Sequence, residues 1–221
     1  NKFDNVISGM DLEEALRQNG CAPRPSDGKK PEKIAFIQCV GSRDERLGNL
    51  WCSQVCCPYA LRMAEVLKNQ EPETKIFMFY MDIQNTGNKF PIFYEKCKSD
   101  IEFIRNIPID IIPVENNRVK IRYLNDTDGS AIIEEFDLVV LSIGITPGED
   151  NNKLSKIFDV ALDKDGFISN DNKLSKSSTS NRGIFVAGTA GGPKNIADSM
   201  ANAGQAACEV LNYLEGKEPI Q

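Results

Sequence analysis

The sequence contains no histidine. This absence excludes catalysis by Ser–His or Cys–His pairs, metal sites that use imidazole ligands, and the usual proton shuttle near neutral pH. Any chemistry that the protein performs must therefore use cysteines, carboxylates, lysines or a bound cofactor.

An excess of positive charge is also lacking, since 26 Lys and Arg face 32 Asp and Glu, for a formal net charge of −6. Without a basic stripe, the chain is a poor candidate for binding nucleic acid or anionic lipid. The longest apolar runs, residues 76–81 and 138–141, are far shorter than the roughly 18 residues that a membrane-spanning helix needs. Residues 1–20 do not resemble a signal peptide. We therefore expect a cytoplasmic protein that does not itself insert into a membrane.

The dinucleotide-binding motif G-x-G-x-x-G occurs nowhere in the sequence. In a nicotinamide-binding domain this motif follows the first strand, where its glycines let the backbone approach a pyrophosphate. Here the corresponding loop begins Cys-Val-Gly-Ser-Arg-Asp at Cys39. We therefore expect that a dinucleotide does not bind this loop in the usual manner and that a cysteine-bearing loop takes its place.

The hydrophobic pattern predicts an α/β protein. A strand over 34–38, a loop over 39–51, a helix over 58–69 and a strand over 76–80 form a Rossmann-like unit with a parallel crossover. Further expected elements are helices at 11–18, 93–104 and 195–215, strands at 109–113, 138–142, 167–169 and 183–186, and a hairpin of 118–124 with 131–136. Residues 1–32 are expected to be a leading segment or linker, because 20–31 is rich in Pro, Gly, Ser and Lys.

Four of the seven cysteines fall within 19 residues: Cys39, then twelve residues, Cys52, three residues, and the pair Cys56–Cys57. Clustered thiols without a secretion signal indicate metal binding or redox chemistry in a reducing compartment. Thiolates suit an iron–sulfur cluster or zinc. Adjacent cysteines favour the cluster, because neighbours can bind different irons of a cubane. Buried, inert thiols remain a third interpretation. The other cysteines, Cys21, Cys97 and Cys208, match no ligand pattern and are interpreted as ordinary thiols.

A second candidate site is the glycine-rich turn before the last predicted helix, with Gly188, Gly191 and Gly192. Glycines permit close approach of the backbone to a ligand, and the helix directs its positive end at that ligand. Lys194 at the helix start would favour an anionic flavin or phosphate. A plain tight turn before a helix of small residues explains the same pattern equally well.

Taken together, these segments resemble the A-type subunit of heterodisulfide reductase and its bacterial relatives, including the A-type subunits of quinone-interacting membrane-bound oxidoreductase complexes. The resemblance covers about residues 5–215, and the matching stretches within it are 34–68 (IAFIQCVGSRDERLGNLWCSQVCCPYALRMAEVLK), 76–83, 137–147, 163–168 and 182–207. The cysteine stretch is the most specific of them.

The resemblance implies a thioredoxin-reductase-like fold, in which a nucleotide-domain-like unit is inserted into an FAD-binding domain. It assigns residues 33–136 to the inserted unit and 137–221 to the C-terminal part of the FAD-binding domain. It also implies a 4Fe–4S cluster ligated by Cys39, Cys52, Cys56 and Cys57. Residues implied to lie near FAD are Gly144, Gly188, Thr189, Lys194, Asn195 and Ile196. Thioredoxin reductases carry an Asp at the position of Thr189, so that flavin contact differs here.

The resemblance further implies that the sequence is a piece of a longer subunit, because the first FAD motif is missing and the chain starts with Asn. The expected function is relay of electrons between FAD and 4Fe–4S clusters, with other subunits of a heterodisulfide-reductase-like or quinone-interacting complex as partners. The isolated piece is expected to be inactive. The alternative is a structural module that docks partner subunits and whose cysteine loop holds zinc or no metal. The terminal electron donor and acceptor stay open.

Overall fold

The computed structural model describes residues 3–84, 87–170 and 175–217. The chain forms two compact units. Unit 1 consists of Asn1–Asp44 and Cys56–Gly144, and unit 2 consists of Glu45–Val55 and Ile145–Gln221. The cysteine-rich loop is therefore divided, because its middle part belongs to unit 2 and its two ends belong to unit 1.

Unit 1 contains eight strands and three α-helices among its described residues. The strands are β1 (Val6–Ser8), β2 (Lys33–Val40), β3 (Lys75–Phe79), β4 (Glu102–Ile104), β5 (Asp110–Pro113), β6 (Val119–Leu124), β7 (Ala131–Phe136) and β8 (Leu138–Ile143). The helices are α1 (Gly9–Asn19), α2 (Cys56–Gln70) and α3 (Phe90–Asp100), and Glu115–Asn117 forms a 3-10 turn. This is the mixed α/β fold that the sequence predicts.

The main sheet of unit 1 has five parallel strands in the order β1-β8-β2-β3-β4, and β5, β6 and β7 form a separate antiparallel sheet. Strand β2 lies at the centre and is apolar on both faces. Ile34 and Phe36 pack with α1, α2 and α3, whereas Ala35 and Ile37 pack with the antiparallel sheet. Such two-sided burial is typical of parallel sheets.

Local chemistry explains where α1 begins and ends. Ser8 is its N-cap and forms a reciprocal capping box with Asp11, and Gly20 closes the helix in the left-handed conformation with φ 67°. Leu12 is fully buried against the parallel sheet. The leading segment thus contains a strand and a helix that belong to the core of unit 1.

Unit 2 is less regular. Its elements are a 3-10 turn at Glu45–Leu47, α4 (Asn151–Phe158), a 3-10 turn at Gly188–Gly191, and α5 (Ile196–Leu214). Two isolated bridges, Leu162 to Ile168 and Ser178 to Phe185, stand where the sequence predicts short strands. The strands predicted at 167–169 and 183–186 are therefore reduced to single paired residues.

The predicted strand–loop–helix–strand unit, the hairpin and the last helix are confirmed. The helix expected over 93–104 is wrong at its end, because it stops at Asp100 and the chain turns extended at Ile101 to form the edge strand β4. Strand β1 and helix α4 are additions that the sequence pattern does not predict. The domain boundaries expected at 32/33 and 136/137 stay a prediction, and the chain changes from one unit to the other at 44/45, 55/56 and 144/145.

Candidate functional site

In unit 1 the carboxyl ends of the neighbouring parallel strands β2 and β8 lie side by side, and the region just beyond these ends is called the crevice. From β2 the chain proceeds through α2 to β3 on one side, and it later returns to place β8 on the other side. This reversal of strand order is the topological switch point, outside which open α/β sheets bind their ligands. Any site in unit 1 is therefore expected first at the ends of β2 and β8.

A β-bulge marks the end of β2. Ile37 pairs with Leu141 and Val40 pairs with Ile143, so two residues of β2, Gln38 and Cys39, oppose a single residue of β8. Cys39 adopts the left-handed conformation with φ 60°, which is uncommon for a residue other than glycine. Bulges of this kind are frequent beside active sites, where they redirect a side chain.

The pair Cys56–Cys57 opens helix α2 at the same crevice. Both residues are buried, at 5% exposure each. The Cys56 thiol lies 3.5 Å from the carbonyl oxygen of Ile143 at the end of β8, and the Cys57 thiol lies 3.9 Å from the carbonyl oxygen of Asp82, which follows β3. The two neighbouring sulfur atoms therefore point to strands on opposite sides of β2.

Tyr59 closes the β8 side of the crevice. Its hydroxyl donates a hydrogen bond of 3.1 Å to the carbonyl oxygen of Ile143, the same oxygen that accepts a hydrogen bond from the Cys56 thiol. Burial, and next the nearby Cys56, raises the pKa of the Tyr59 hydroxyl well above its usual value. Tyr59 is therefore a neutral hydrogen-bond donor, a role that the sequence pattern does not indicate because it marks Tyr59 only as an apolar helix position.

An ion pair fixes the loop that follows Cys39. The Arg43 guanidinium donates two hydrogen bonds to the carboxylate of Asp82. The bond from Arg43 lowers the pKa of Asp82 below its usual range. Arg43 itself has a positive φ of 55°. Backbone strain of this kind clusters at functional sites and persists only where surrounding contacts impose it.

Gln38 is the polar residue at this crevice that sequence reasoning misses. Its side chain is 5% exposed, and both amide atoms are buried without a hydrogen-bond partner. Buried polar groups are nearly always paired, so each exception needs an explanation. Its position in an apolar strand gives no signal in the sequence, because the unpaired state becomes visible only once the neighbours of β2 are known.

Cys52 lies in the segment Glu45–Val55 of unit 2. Two residues beside it attach this segment within unit 2: Trp51 donates to the carbonyl oxygen of Ile145 at 2.9 Å, and the Ser53 hydroxyl accepts from the Ile145 amide at 2.7 Å. The Trp51 ring also packs edge-to-face on Phe167, with centroids 5.5 Å apart. The Cys52 sulfur accepts a hydrogen bond of 3.4 Å from the amide of Gln54.

The predicted ligand set is thus distributed over both units, with Cys39, Cys56 and Cys57 in unit 1 and Cys52 in unit 2. Within residues 3–84, 87–170 and 175–217, the structure gathers no group of three or more Cys, Asp or Glu side chains in a metal-binding arrangement. It also forms no disulfide among the cysteines of these residues. Ligation of a 4Fe–4S cluster by the four cysteines stays a prediction.

Of the remaining cysteines, Cys97 is fully buried in the core of unit 1. Burial, with the nearby Glu65 carboxylate as the next cause, raises the pKa of its thiol to about 12. A thiol with so high a pKa is a structural, unreactive group. Cys208 is exposed on α5 and Cys21 is partly exposed. Nothing in the described residues contradicts the interpretation of these three cysteines as ordinary thiols, which stays a prediction.

The glycine-rich turn of unit 2 is organised by Asn202, which sequence reasoning also misses. Asn202 is 7% exposed, and its side-chain oxygen accepts from the Gly188 amide at 2.9 Å. Its side-chain nitrogen donates to the Ser177 hydroxyl at 2.8 Å. Gly188 has φ 66°, a conformation that favours glycine. A methyl group built on Gly188 or on Gly192 would meet no other atom within 4 Å, so space above the turn is open.

The ammonium group of Lys194 contacts the backbone of this turn. Its ammonium group lies 3.1, 3.0 and 3.3 Å from the carbonyl oxygens of Gly188, Gly191 and Gly192. Burial, and next the charge of Lys176, lowers the pKa of Lys194. The charge expected to serve an anionic ligand is therefore directed at backbone carbonyls of the turn.

The other predicted flavin residues are placed as follows. Asn195 is the N-cap of α5, and its side-chain oxygen accepts from the amide of Asp198. Ile196 is 81% exposed and Thr189 is exposed. Gly144 lies in unit 1, where its amide donates to the carbonyl oxygen of Val40 at 3.0 Å. Contact of all six residues with FAD stays a prediction.

A cavity of about 300 Å³ in unit 2 is lined by none of the predicted site residues. On its wall the Glu209 carboxylate accepts hydrogen bonds from the hydroxyls of Ser175 and Ser178. Within the described part of the chain, no helix combines the length and the apolar character that crossing a membrane requires.

No protein-family model matches the chain. By fold, the chain is similar to the thioredoxin reductases of T. acidophilum and of Lactococcus lactis. The TM-scores are 0.56 and 0.57, at 18% and 17% sequence identity, and the matches cover 96% and 95% of this chain and 58% and 62% of the other chains. The thioredoxin-reductase-like α/β fold is thereby confirmed.

Sequence identity is higher with a second group of proteins. The chain is 38% identical over 224 residues to an iron–sulfur A-type subunit of the CoB–CoM heterodisulfide reductase of Methanopyrus kandleri, covering 98% of this chain and 34% of that protein. It is 40% identical over 216 residues to the corresponding subunit of Methanocaldococcus jannaschii, covering 94% and 33%. With the A-type subunit of the H2:CoB–CoM heterodisulfide,ferredoxin reductase of Methanothermobacter thermautotrophicus, it shares 36% identity over 228 residues, covering 100% and 35%.

The chain spans about a third of the length of these curated relatives. Across that third, the alignments extend over nearly all residues of the chain, and they agree with the family whose cysteine segment the sequence resembles. Over the segment that it covers, the chain is therefore similar along nearly its whole length to the A-type subunits of heterodisulfide reductase.

Proposed function

We propose that this chain is an electron-transfer segment of an oxidoreductase complex, in which a 4Fe–4S cluster bound by Cys39, Cys52, Cys56 and Cys57 exchanges electrons with FAD. The observation that carries the proposal is the chemistry at the switch point of unit 1. Where a dinucleotide-binding fold carries its glycine motif, this chain has a bulged strand end with Cys39 and a helix start with two buried cysteines.

The side chains of unit 1 fit a sulfur-ligated iron group by their chemistry. Thiolates are the ligands that hold iron–sulfur clusters, and the N-terminus of α2 favours a negatively charged group beside Cys56. The unpaired amide of Gln38 offers a donor at the same strand end. Cys52 is included from its spacing in the sequence. A cluster bound by these residues would accept and release single electrons.

The flavin part of the proposal concerns unit 2. The open space above Gly188 and Gly192 and the N-terminus of α5 are suited to the phosphates of FAD. We propose that Lys194 acts indirectly, by holding the turn through its three carbonyl contacts. Thr189, Asn195 and Ile196 would contact the flavin from the turn and the helix start. Gly144, which lies in unit 1, is included from the sequence resemblance alone.

Partners and substrates follow from the relatives and are part of this proposal. The relatives are named for CoB–CoM heterodisulfide and, in some cases, for ferredoxin. We propose that the complete protein works as one subunit of such a complex and passes electrons onward to its partners. The segment described here would hold the cluster without performing the overall reaction alone.

The test is the content of iron, zinc and labile sulfide in protein purified and reconstituted without oxygen. We expect about four irons per chain, as a 4Fe–4S cluster requires. The Cys56→Ala and Cys52→Ala variants should lose the cluster, whereas the control Cys208→Ala, which removes an exposed thiol on α5, should retain it.

Two results would contradict the proposal. One zinc per chain, or no metal, in the wild type would make the cysteine loop a structural element and the chain a module that docks partner subunits. Equal iron in Cys52→Ala and in the wild type would remove Cys52 from the ligand set, because a true ligand cannot be lost without effect.

A further inference from the structure

Gln38 combines deep burial with an unused hydrogen-bonding group. Both atoms of its amide are shielded from solvent and neither has a partner among the described residues. An unmade hydrogen bond in the protein interior is destabilising, so an apolar residue at this position would serve the isolated fold better. Because buried polar groups are nearly always paired, an amide that the polypeptide leaves unpaired is expected to have a partner from outside the polypeptide.

The direction of the Gln38 side chain follows from the alternation along β2. Ile34 and Phe36 pack on the face that carries α2, and Gln38 continues that face two residues further on. Ser142, its neighbour on β8, occupies the same face beyond Leu138 and Val140. Gln38 is therefore directed toward the side of the sheet from which the N-terminus of α2 approaches.

The start of α2 is fixed at this end of the sheet by two contacts. The Cys56 thiol and the Tyr59 hydroxyl both reach the carbonyl oxygen of Ile143, the residue after Ser142. The bulge places Cys39 directly after Gln38. The unpaired amide thus lies at the same strand ends as the cysteines of the crevice.

We propose that the side-chain N–H of Gln38 donates a hydrogen bond to a sulfur atom of the group held in the cysteine loop and thereby raises its reduction potential. This inference rests on the proposed function. Adding an electron increases the negative charge on the sulfur atoms, so an N–H donor stabilises the reduced state more than the oxidised state. The amide does not titrate, so Gln38 transfers no proton. It is a positioning residue that sets the electron affinity of its neighbour.

The first measurement uses metal-free protein and the variant Gln38→Met, which keeps the volume and removes the amide. We expect the melting temperature of Gln38→Met to be higher than that of the wild type, because an unpaired buried amide is lost. The matched control is Thr74→Val, which removes a buried hydroxyl that donates to the carbonyl oxygen of Pro31 at 3.2 Å. Its melting temperature should fall.

The second measurement is a potentiometric titration of the reconstituted protein, followed by the absorbance and the electron paramagnetic resonance of the reduced state. In Gln38→Met, we expect the equilibrium constant for reduction to fall about tenfold, a shift of about 59 mV for a one-electron couple. Gln38→Leu serves as a second variant if the first fails to fold. Thr74→Val should titrate as the wild type does.

The outcomes distinguish a failure of the proposed function from a failure of the proposed role of Gln38. If the wild type assembles no iron–sulfur group, the proposed function fails and the role of Gln38 fails with it. If the cluster assembles and the potential of Gln38→Met equals that of the wild type, the proposed function stands and the role of Gln38 is refuted. A lower melting temperature of metal-free Gln38→Met would also refute it, because the amide would then have a partner within the polypeptide.

Discussion

Replacement of Asn202 by alanine should loosen the glycine-rich turn of unit 2. The side chain accepts from the Gly188 amide and donates to the Ser177 hydroxyl, and alanine leaves both groups without these partners. Each polar group left unsatisfied in a buried place costs about 1–3 kcal/mol. Because Gly188 is only partly buried and the Ser177 hydroxyl keeps its hydrogen bond to the backbone carbonyl oxygen of residue 202, we expect a total loss of roughly 1–2 kcal/mol in the free energy of unfolding, at the lower end of this range.

Urea denaturation followed by tryptophan fluorescence measures this loss of stability in unit 2, which contains both Asn202 and the fluorescent residue. Trp51 is the single tryptophan of the sequence and lies in unit 2, against Phe167. The matched control is Asn212→Ala on the same helix, at a partly exposed position, for which we expect a change within about 0.5 kcal/mol. Equal midpoints for Asn202→Ala and Asn212→Ala would refute the reasoning that Asn202 holds the turn.

Two further predictions concern unit 1. Hydrogen bonding to Arg43 lowers the folded-state pKa of Asp82, so the contribution of Asp82 to stability is present above its unfolded pKa and is lost as the pH falls through its folded pKa. Urea midpoints measured between about pH 6 and 3 should therefore decline more in the wild type than in Asp82→Asn. Parallel declines in the two proteins would contradict this reasoning. A methyl group at Gly9 would lie 2.8 Å from a ring carbon of Tyr59, so Gly9→Ala should destabilise the protein by about 1–3 kcal/mol in thermal melts, and an unchanged melting temperature would show that the ring moves without cost.

Much of unit 1 could be predicted from the sequence because its signals are local. The apolar run of β2, the helical spacing of α2 and the turn between β6 and β7 each lie within a few neighbouring residues. Strand β1 carries no such signal. Its three residues pair with residues 139–141, and nothing in so short a segment indicates a partner more than a hundred residues away.

Sequence reasoning offers candidate ligands for the site but not its supporting contacts. The cysteine spacing singles out four thiols as candidate ligands, and the structure places three of them at the ends of β2 and α2. The roles of Gln38 and Asn202 depend on which groups lie opposite them after folding. Lys194 shows the same limit, because its charge suggests an anionic ligand while its contacts are with carbonyl oxygens of its own turn.

The side chains of Cys56 and Cys57 point in different directions, and this affects how the two thiols react with oxidants. Neighbouring cysteines are often suspected of closing on each other when oxidised. Here one thiol is held toward Ile143 at the end of β8 and the other toward Asp82, three residues after the end of β3. Both thiols lie in the first turn of a helix, and cysteines whose side chains point apart cannot be bridged unless the backbone moves. Damage by oxidants should therefore proceed on each sulfur separately, through sulfenic acid and beyond, and the helix itself protects the pair from forming a disulfide.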